Sequence, residues 1–232
     1  MDDFDRLIAH LRDGQTHRTW SVLVTVFGDL ARVPGQEVGS PLLSRLCAPI
    51  GIRPEALRVA LHRLRKDNWV SARRAGRHSL YVLTEEGLRQ SRAASPKIYG
   101  VHGGSRAYLV LRDDGGAVLA PTPPTNEWSV PLSTAPPDWL RAQTCREGTA
   151  ELAADTRRRF AALQAELAKT PVLEPIQIAA LRILVVHTWR RVALRLPDLP
   201  DFALPGGDDI RQARGLFQTL LARLPAPAVD TL

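Results

Sequence analysis

The sequence predicts an α+β protein that is mainly helical and has three successive parts. Three observations predict this fold class. Apolar residues recur at helical spacing in the first third, a pair of short alternating segments follows one of those helices, and two long helical segments lie near the end. The predicted parts are residues 1–92, 93–170 and 171–232. A chain of 232 residues, 44% hydrophobic and 24% charged, is long enough to fold as several small domains.

The first part contains three predicted helices. The first spans residues 17–32 and has a buried face formed by Trp20, Val22, Leu23, Val26, Phe27 and Leu30. The second spans residues 41–50, with Ser40 as its expected cap. Gly51 ends it, and Pro54 begins the third helix in the first-turn position that proline favours. The apolar residues of the third helix recur at i, i+3, i+4 and i+7, at Leu57, Ala60, Leu61 and Leu64.

Residues 53–80 form a basic segment that holds nearly all of the excess positive charge. The formal net charge of the chain is +7, and this segment has eight basic and two acidic residues, a balance of +6. The basic residues are Arg53, Arg58, Arg63, Arg65, Lys66, Arg73, Arg74 and Arg77. A run of charge is usually a solvated face, but its concentration on one helix and the following hairpin favours a binding surface for a polyanion.

The order helix, helix, turn, helix and hairpin predicts a winged helix-turn-helix that binds DNA. Residues 71–84 alternate as a hairpin with its tip near Ala75 and Gly76. The third helix would lie in the major groove, and the hairpin would follow the backbone or enter the minor groove. Helix capping is the alternative role for Ser40 and Thr84. The predicted DNA-binding residues are Ser40, Arg53, Glu55, Arg58, Val59, His62, Arg63, Lys66, Arg73, Arg74, Arg77 and His78.

Two stretches near the N-terminus and two near the C-terminus carry a family resemblance. TWSVLVTVFGDL and GIRPEALRVALHRLRKDNWVSARRAGRHSLYVLTEEG resemble the PaaX family of bacterial repressors of phenylacetic acid degradation. VVHTWRRVALRLPDLPDFALPGG, followed by ARGLFQTLLARL, is similar to that family's C-terminal domain. The resemblance covers residues 17–92 and 172–224.

The resemblance implies a transcriptional repressor of a catabolic operon for phenylacetate or another aromatic acid. Such a repressor would bind double-stranded operator DNA as a homodimer, and an aryl-CoA effector such as phenylacetyl-CoA would release it. We expect a cytoplasmic, nucleoid-associated protein with no other cofactor and no membrane partner. A protein-interaction adaptor and a DNA-binding regulator without ligand control remain alternatives.

The middle part departs from the family, whose members carry a small ferredoxin-like (Cas2-like) α/β domain there. Strands are expected at 107–111 and 117–120, followed by a proline-rich loop, and a helix is expected over 149–169. A shortened ferredoxin-like domain is therefore predicted. The stretch GVHGGS, residues 100–105, is predicted to be a linker because it lacks the spacing of a phosphate-binding loop.

The last part is predicted to be a small helical domain, with helices over 175–195 and 208–224 and a proline-punctuated crossing between them. The candidate effector-binding residues are His187, Trp189, Arg190 and Arg191. His187 and Trp189 also fit a packed helix face, which is the commoner role for such residues. Either arginine would suit a phosphate or carboxylate, and the phosphates implied by a CoA effector would need such a group.

The sequence does not favour an enzyme or a metal site. No Ser/His/Asp arrangement or HExxH motif is present, and Cys47 and Cys145 lack metal-ligand spacing. Asp113 and Asp114 suit a metal-dependent nuclease, but DDGG is more typical of a hairpin turn. The chain has no apolar run of transmembrane length, and its acidic N-terminal stretch lacks a signal-peptide core.

Overall fold

The computed structural model describes residues 3–12, 18–101, 104–169, 172–229 and 232. Its helices are α1 (Asp3–Ala9), α2 (Thr19–Leu30), α3 (Ser40–Cys47), α4 (Pro54–Lys66), α5 (Glu85–Tyr99), α6 (Asp138–Ala142), α7 (Thr149–Leu167), α8 (Pro175–Ala193) and α9 (Gly207–Arg223), with a short 3-10 helix at Asp201–Ala203. Its strands are β1 (Val38–Gly39), β2 (Val70–Ala75), β3 (His78–Leu83), β4 (Ala107–Leu111), β5 (Ala117–Ala120) and β6 (Trp128–Leu132). The predicted fold class, α+β and mainly helical, is confirmed. Within the described ranges, no helix has the length and apolarity needed to cross a membrane.

Helix α4 begins at Pro54, where the sequence predicts it, and buries the predicted apolar face. Its buried residues are Leu57, Ala60, Leu61 and Leu64. The chain leaves the helix through Asn68, whose φ of 54° lies in the left-handed region that asparagine tolerates better than most residues. This turn takes the chain directly into β2, so the hairpin follows α4 with almost no linker.

Strands β2 and β3 form the predicted hairpin. They pair antiparallel from Val70↔Leu83 to Ala75↔His78, so Gly76 and Arg77 make the turn. Gly76 has a φ of 59°, a conformation that favours glycine. Strand β1 pairs with the other edge of β3, which gives a three-stranded sheet in the order β1-β3-β2.

Two hydroxyl side chains that share a predicted capping role behave differently. Thr84 caps α5, because its Oγ1 accepts a 3.0 Å hydrogen bond from Gly87 N. The capping prediction for Ser40 is wrong, since Gly39 occupies the cap position and Ser40 is the first helical residue. The Ser40 Oγ instead accepts a 3.3 Å bond from Ser79 N, which ties α3 to β3.

Helix α5 follows the hairpin and runs for 15 residues. It starts tightly against the end of the α4 region. A Cβ on Gly87 would lie 2.2 Å from the carbonyl oxygen of Trp69, so a side chain has no room there. The predicted boundary between residues 92 and 93 therefore falls inside one continuous helix.

Helix α8 is the centre of the hydrophobic core. Every residue from 179 to 189 is buried, and helices α1, α2, α3, α5, α7 and α9 all pack against it. Trp189 stacks on Phe217 with ring centroids 5.6 Å apart, and Phe217 stacks on Phe160 at 6.4 Å. The buried residues of the first and last parts belong to one continuous cluster. The division into three functional parts stays a prediction.

A buried ion pair joins α2 to α8. Arg182 donates to both carboxylate oxygens of Asp29, from Nε at 2.6 Å and from Nη2 at 3.0 Å. Its Nη1 donates to the carbonyl of Leu224 at 2.8 Å, and the hydroxyl of Tyr99 donates to Asp29 at 2.7 Å. Four segments that are distant in sequence therefore meet at this ion pair.

The middle sheet has three antiparallel strands in the order β5-β4-β6. Strands β4 and β5 have the predicted bounds, whereas β6 lies beyond the predicted loop and was not expected. The expected ferredoxin-like (Cas2-like) arrangement does not fit this sheet. That fold places a helix between strands, and a helical crossover takes a dozen or more residues, but only residues 112–116 and 121–127 separate these strands. Residues 102 and 103 of the predicted linker lie outside the described residues.

Candidate nucleic-acid interface and adjoining cavity

The outer surface of α4 carries the residues predicted to contact DNA. Glu55, Arg58, Val59, His62, Arg63 and Lys66 are all exposed. Val59 is 71% exposed in the middle of this cationic surface. Arg65 is exposed on the same helix and was not among the predicted DNA-binding residues, although it belongs to the basic segment.

Three arginines of the basic segment are paired with acids. Arg58 donates to Glu55 at 3.1 Å, and Arg63 donates to Asp67 at 3.4 Å. These pairs are exposed, so they contribute little to stability and exchange readily for other anions. The remaining cations are also exposed and form no ion pair within the described residues: Arg53, Arg65, Lys66, Arg74 and Arg77.

Arg73 makes the best-formed of these pairs. Its Nε and Nη2 donate to the two oxygens of Glu37 at 2.5 and 2.6 Å, a two-pronged contact from β2 to the residue before β1. The hydrogen bond from Arg73 lowers the pKa of Glu37. Sequence reasoning missed Glu37, because its closeness to Arg73 arises only when β1 joins the hairpin.

Basic side chains are exposed at the hairpin turn. Arg74, Arg77 and His78 are exposed at or beside the turn. Arg74 pairs in register with Ser79, next to the last pair of the hairpin, Ala75↔His78. The helix and hairpin therefore present cations on two adjoining elements, which is the arrangement expected of a polyanion-binding surface.

The four candidate effector-binding residues occupy different environments on α8. Trp189 is fully buried and its Nε1 donates to the carbonyl of Ile98 at 2.8 Å. His187 is buried, with Nδ1 lying 3.2 Å from Thr25 Oγ1. Arg191 is partly exposed at the end of the helix. Arg190 lines a cavity, and the effector roles of all four stay predictions.

That cavity has a volume of about 250 Å³ and lies where α2, α5 and α8 meet beside the end of α4. Trp20 and Trp69 line it, and the guanidinium of Arg63 on α4 lies 5.3 Å from the centre of the Trp20 ring. The sequence analysis places Trp20 on the buried face of its helix and does not mark it as part of a cavity. No local pattern marks a cavity whose walls come from three helices far apart in the chain.

The described part of the chain contains no group of three His, Cys, Asp or Glu side chains arranged to hold a metal. Asp114, one of the two acids considered for a nuclease, accepts a 2.8 Å bond from Gly116 N. Gly115 has a φ of 80° in the same connection between β4 and β5. The DDGG sequence therefore forms a hairpin turn, as its composition predicts.

Comparison with known families agrees with this arrangement. The family model for PaaX-like protein matches residues 18–87, and the model for the PaaX-like protein C-terminal domain matches residues 149–232. The chain belongs to the PaaX-like family. The first match contains α2 to α4 and the hairpin, and the second begins at α7, which packs on α8 and α9.

A curated relative supports the same family. The chain is 33% identical over 99 residues to the transcriptional repressor PaaX of Escherichia coli (strain K12). The aligned part covers 43% of this chain and 31% of that relative, so the chain spans under a third of the relative's length in this match. A relative that is a regulator agrees with the prediction that this PaaX-like chain is not an enzyme.

Proposed function

We propose that this PaaX-like chain is a DNA-binding transcriptional repressor that recognises its operator through a winged helix-turn-helix formed by α2 to α4 and the β1–β3 sheet. The observation that carries the proposal is the division of α4 into two faces. One face buries four apolar residues against the core, and the other, with the adjoining hairpin, exposes eight cations. Family membership and the similarity to a repressor support it independently.

In this proposal, α4 lies in the major groove with its outward side chains against base edges. Arg58 and Arg63 would exchange their acidic neighbours for guanine edges, where an arginine makes two parallel hydrogen bonds. Val59 would supply an apolar contact of the kind that a thymine methyl group favours. His62 and Lys66 would lie at the edges of this contact.

The hairpin would act as the wing. Arg73, Arg74 and Arg77 would contact phosphates or the minor groove, and such contacts position the protein without selecting sequence. Ser40, Arg53 and His78 border the same surface and would add contacts to the backbone. Two copies of the chain on a symmetric operator would multiply the modest affinity of each half-site.

The proposed regulated genes encode an aromatic-acid catabolic pathway such as phenylacetate degradation, and the proposed effector is an aryl-CoA such as phenylacetyl-CoA. The family resemblance supports both assignments. His187, Trp189, Arg190 and Arg191 are the residues proposed for effector control, with Arg190 or Arg191 as the clamp for an anionic group.

The test is a titration of the purified chain onto DNA from upstream of its own gene and of any adjacent aromatic-acid operon, with and without phenylacetyl-CoA. We expect the chain to bind this DNA more tightly than random DNA of equal length, and we expect the thioester to release it. Specific binding that ignores the thioester would favour a regulator without this effector. Equal binding to all DNA would refute operator recognition.

Substitutions distinguish the residues that recognise base sequence from the residues that contact the DNA backbone. Arg58→Ala and Arg63→Ala should change sequence preference, at about 1–3 kcal/mol where either makes a two-pronged base contact. Alanine at Arg74 or Arg77 should weaken binding to all DNA and lower the dependence on salt concentration. Arg211→Ala, on the distant helix α9, is the matched control. If charge reversal at Arg73, Arg74 and Arg77 leaves DNA binding unchanged, the protein-interaction adaptor is favoured.

A further inference from the structure

The cavity between α2, α5 and α8 has the size and lining of a small-molecule site. Trp20, Val24, Ala94 and Val186 give it mainly apolar walls. Its volume of about 250 Å³ lies between the roughly 150 Å³ of a cavity that binds benzene and the roughly 300 Å³ at which pockets for drug-sized ligands begin. A single ring with a short substituent therefore fits, and a nucleotide does not.

One wall of the cavity carries a partly buried cation that has no anion beside it. Arg190 Nη1 donates to the carbonyl of Ser21 at 3.1 Å and to Thr25 Oγ1 at 3.0 Å, and both acceptors are neutral. Within the described residues, no carboxylate forms an ion pair with Arg190. Burial lowers the pKa of its guanidinium, which is the mark of a charge that has lost water without gaining a counter-charge. A bound anion would offset that cost.

Trp20, which lines the cavity, has an unsatisfied hydrogen-bond donor. The Nε1 of Trp20 is buried and has no acceptor within the described part of the chain. Buried indole N–H groups nearly always find a partner, so an unsatisfied one beside a cavity calls for an explanation. A small turn of the ring would bring this N–H to the cavity surface, where an oxygen atom of a ligand would provide the missing acceptor.

We infer that this cavity binds a compact carboxylate with an apolar, ring-sized body, which Arg190 and Trp20 hold by its oxygen atoms. Arg190 supplies the charge, Trp20 supplies the neutral donor, and Val24, Ala94 and Val186 surround the body of the ligand. This ligand is smaller than the thioester of the proposed function, because a cavity of about 250 Å³ encloses a ring and its substituent but not a whole coenzyme.

The same site has a direct contact with the helix proposed to read DNA. The Trp20 ring that would bond the ligand lies against the Arg63 guanidinium of α4, and Trp69 lines the cavity just after that helix. A ligand that moves the Trp20 ring therefore changes the surroundings of Arg63. This regulatory step rests on the proposed function, whereas binding of the carboxylate does not.

The first experiment titrates benzoate into ¹⁵N-labelled full-length chain and follows the tryptophan indole N–H signals by NMR. The Trp20 signal is assigned by its absence in Trp20→Phe. We expect a saturable downfield shift of this signal with benzoate, and a much smaller shift with its neutral analogue benzamide. A Trp20 signal that does not move with benzoate, p-toluate or hexanoate would overturn the inference.

Two variants test the site by different routes. Arg190→Met removes the cation and should weaken benzoate binding about tenfold or more, because hydrogen bonds to a charged group are the strong ones. Ala94→Leu fills the cavity and should abolish binding with both polar groups still present. The matched control is Arg195→Met, which removes an exposed cation just beyond α8. Calorimetry should show unchanged affinity in the control, and unchanged affinity in both site variants would overturn the inference.

Arg190 also bonds α2, so thermal unfolding of each variant is measured alongside. If Arg190→Met is unfolded, Ala94→Leu alone decides the test. The binding experiments contain no DNA, so their failure leaves the DNA-binding proposal intact. In a separate titration, benzoate should change operator affinity in the unmodified chain and not in Ala94→Leu. If benzoate changes the operator affinity of the unmodified chain and of Ala94→Leu equally, the cavity is not the site of that effect.

Discussion

Replacing Asp29 with asparagine should remove one of the main connections between α2 and α8. The carboxylate is completely buried and pairs with Arg182, whose side chain is 8% exposed. Asparagine has nearly the same shape, so the change opens no cavity. It leaves the Arg182 guanidinium buried with its bond to the Leu224 carbonyl but without a counter-charge.

The expected loss of stability is large for a single atom exchange. Removing one partner of a buried ion pair costs about 3–5 kcal/mol, because the remaining charge stays desolvated. For a chain of this size, 1 kcal/mol lowers the melting temperature by about 2–4 °C, so the expected decrease is about 6–20 °C. Because the pair lies between α2 and α8, the loss should affect both helices together.

The assay is thermal and urea unfolding followed by circular dichroism. Asp208→Asn is the matched control, because it breaks an exposed pair with Arg211 and should cost at most about 1 kcal/mol. A double variant, Asp29→Leu with Arg182→Met, removes both charges and should be clearly more stable than Asp29→Asn. If Asp29→Asn unfolds at the same temperature as the control, the buried pair does not hold the two helices together.

Three further outcomes are expected. Glu37→Gln should strengthen DNA binding a few-fold in a fluorescence anisotropy titration, because Arg73 no longer has to leave an acid for a phosphate; weaker binding would contradict this. Burial raises the pKa of Cys47 to about 12. Mass spectrometry after iodoacetamide treatment should therefore find the half-buried Cys145 modified first. Modification of Cys47 before the chain unfolds would argue against the burial of Cys47. Hydrogen bonds from Arg89 and Gln90 hold the pKa of Glu86 at about 2, so its contribution to stability is present above pH 4.5 and is lost as the pH falls towards 2. An NMR titration should find that low pKa, and Arg89→Ala should bring it back towards 4.5.

The elements proposed to contact DNA were largely predictable because their signals are local. The apolar spacing of α4 and the proline at its start depend only on neighbouring residues, and the helix begins at the predicted residue. The hairpin follows from alternation and from the glycine at its turn, Gly76. Charge is also a property of the sequence itself, so the basic segment was visible without any knowledge of packing.

Predictions that depended on distant contacts fared differently. Serine is a residue type that often caps helices, but the Ser40 hydroxyl accepts a hydrogen bond from Ser79 N in β3, 39 residues later in the chain. Strand β6 was not predicted because it contains a proline, which is not typical of a strand. It forms because β4, elsewhere in the chain, supplies its hydrogen-bond partners. The ferredoxin-like expectation came from the family resemblance, and the spacing of the strands excludes its crossover helices.

The sequence by itself determined the helices and hairpin of the basic segment, the excess of positive charge and the family to which the chain belongs. Each of these is encoded in residues that are close in sequence, where periodicity and turn chemistry act directly. The tertiary structure alone decided that α8 is the common core and that Asp29 meets Arg182 across 153 positions. It also decided that Arg190 and Trp20 line one cavity, with Arg63 against the Trp20 ring. Such contacts depend on how whole helices pack, and a short stretch of sequence carries no signal for the partner it will meet.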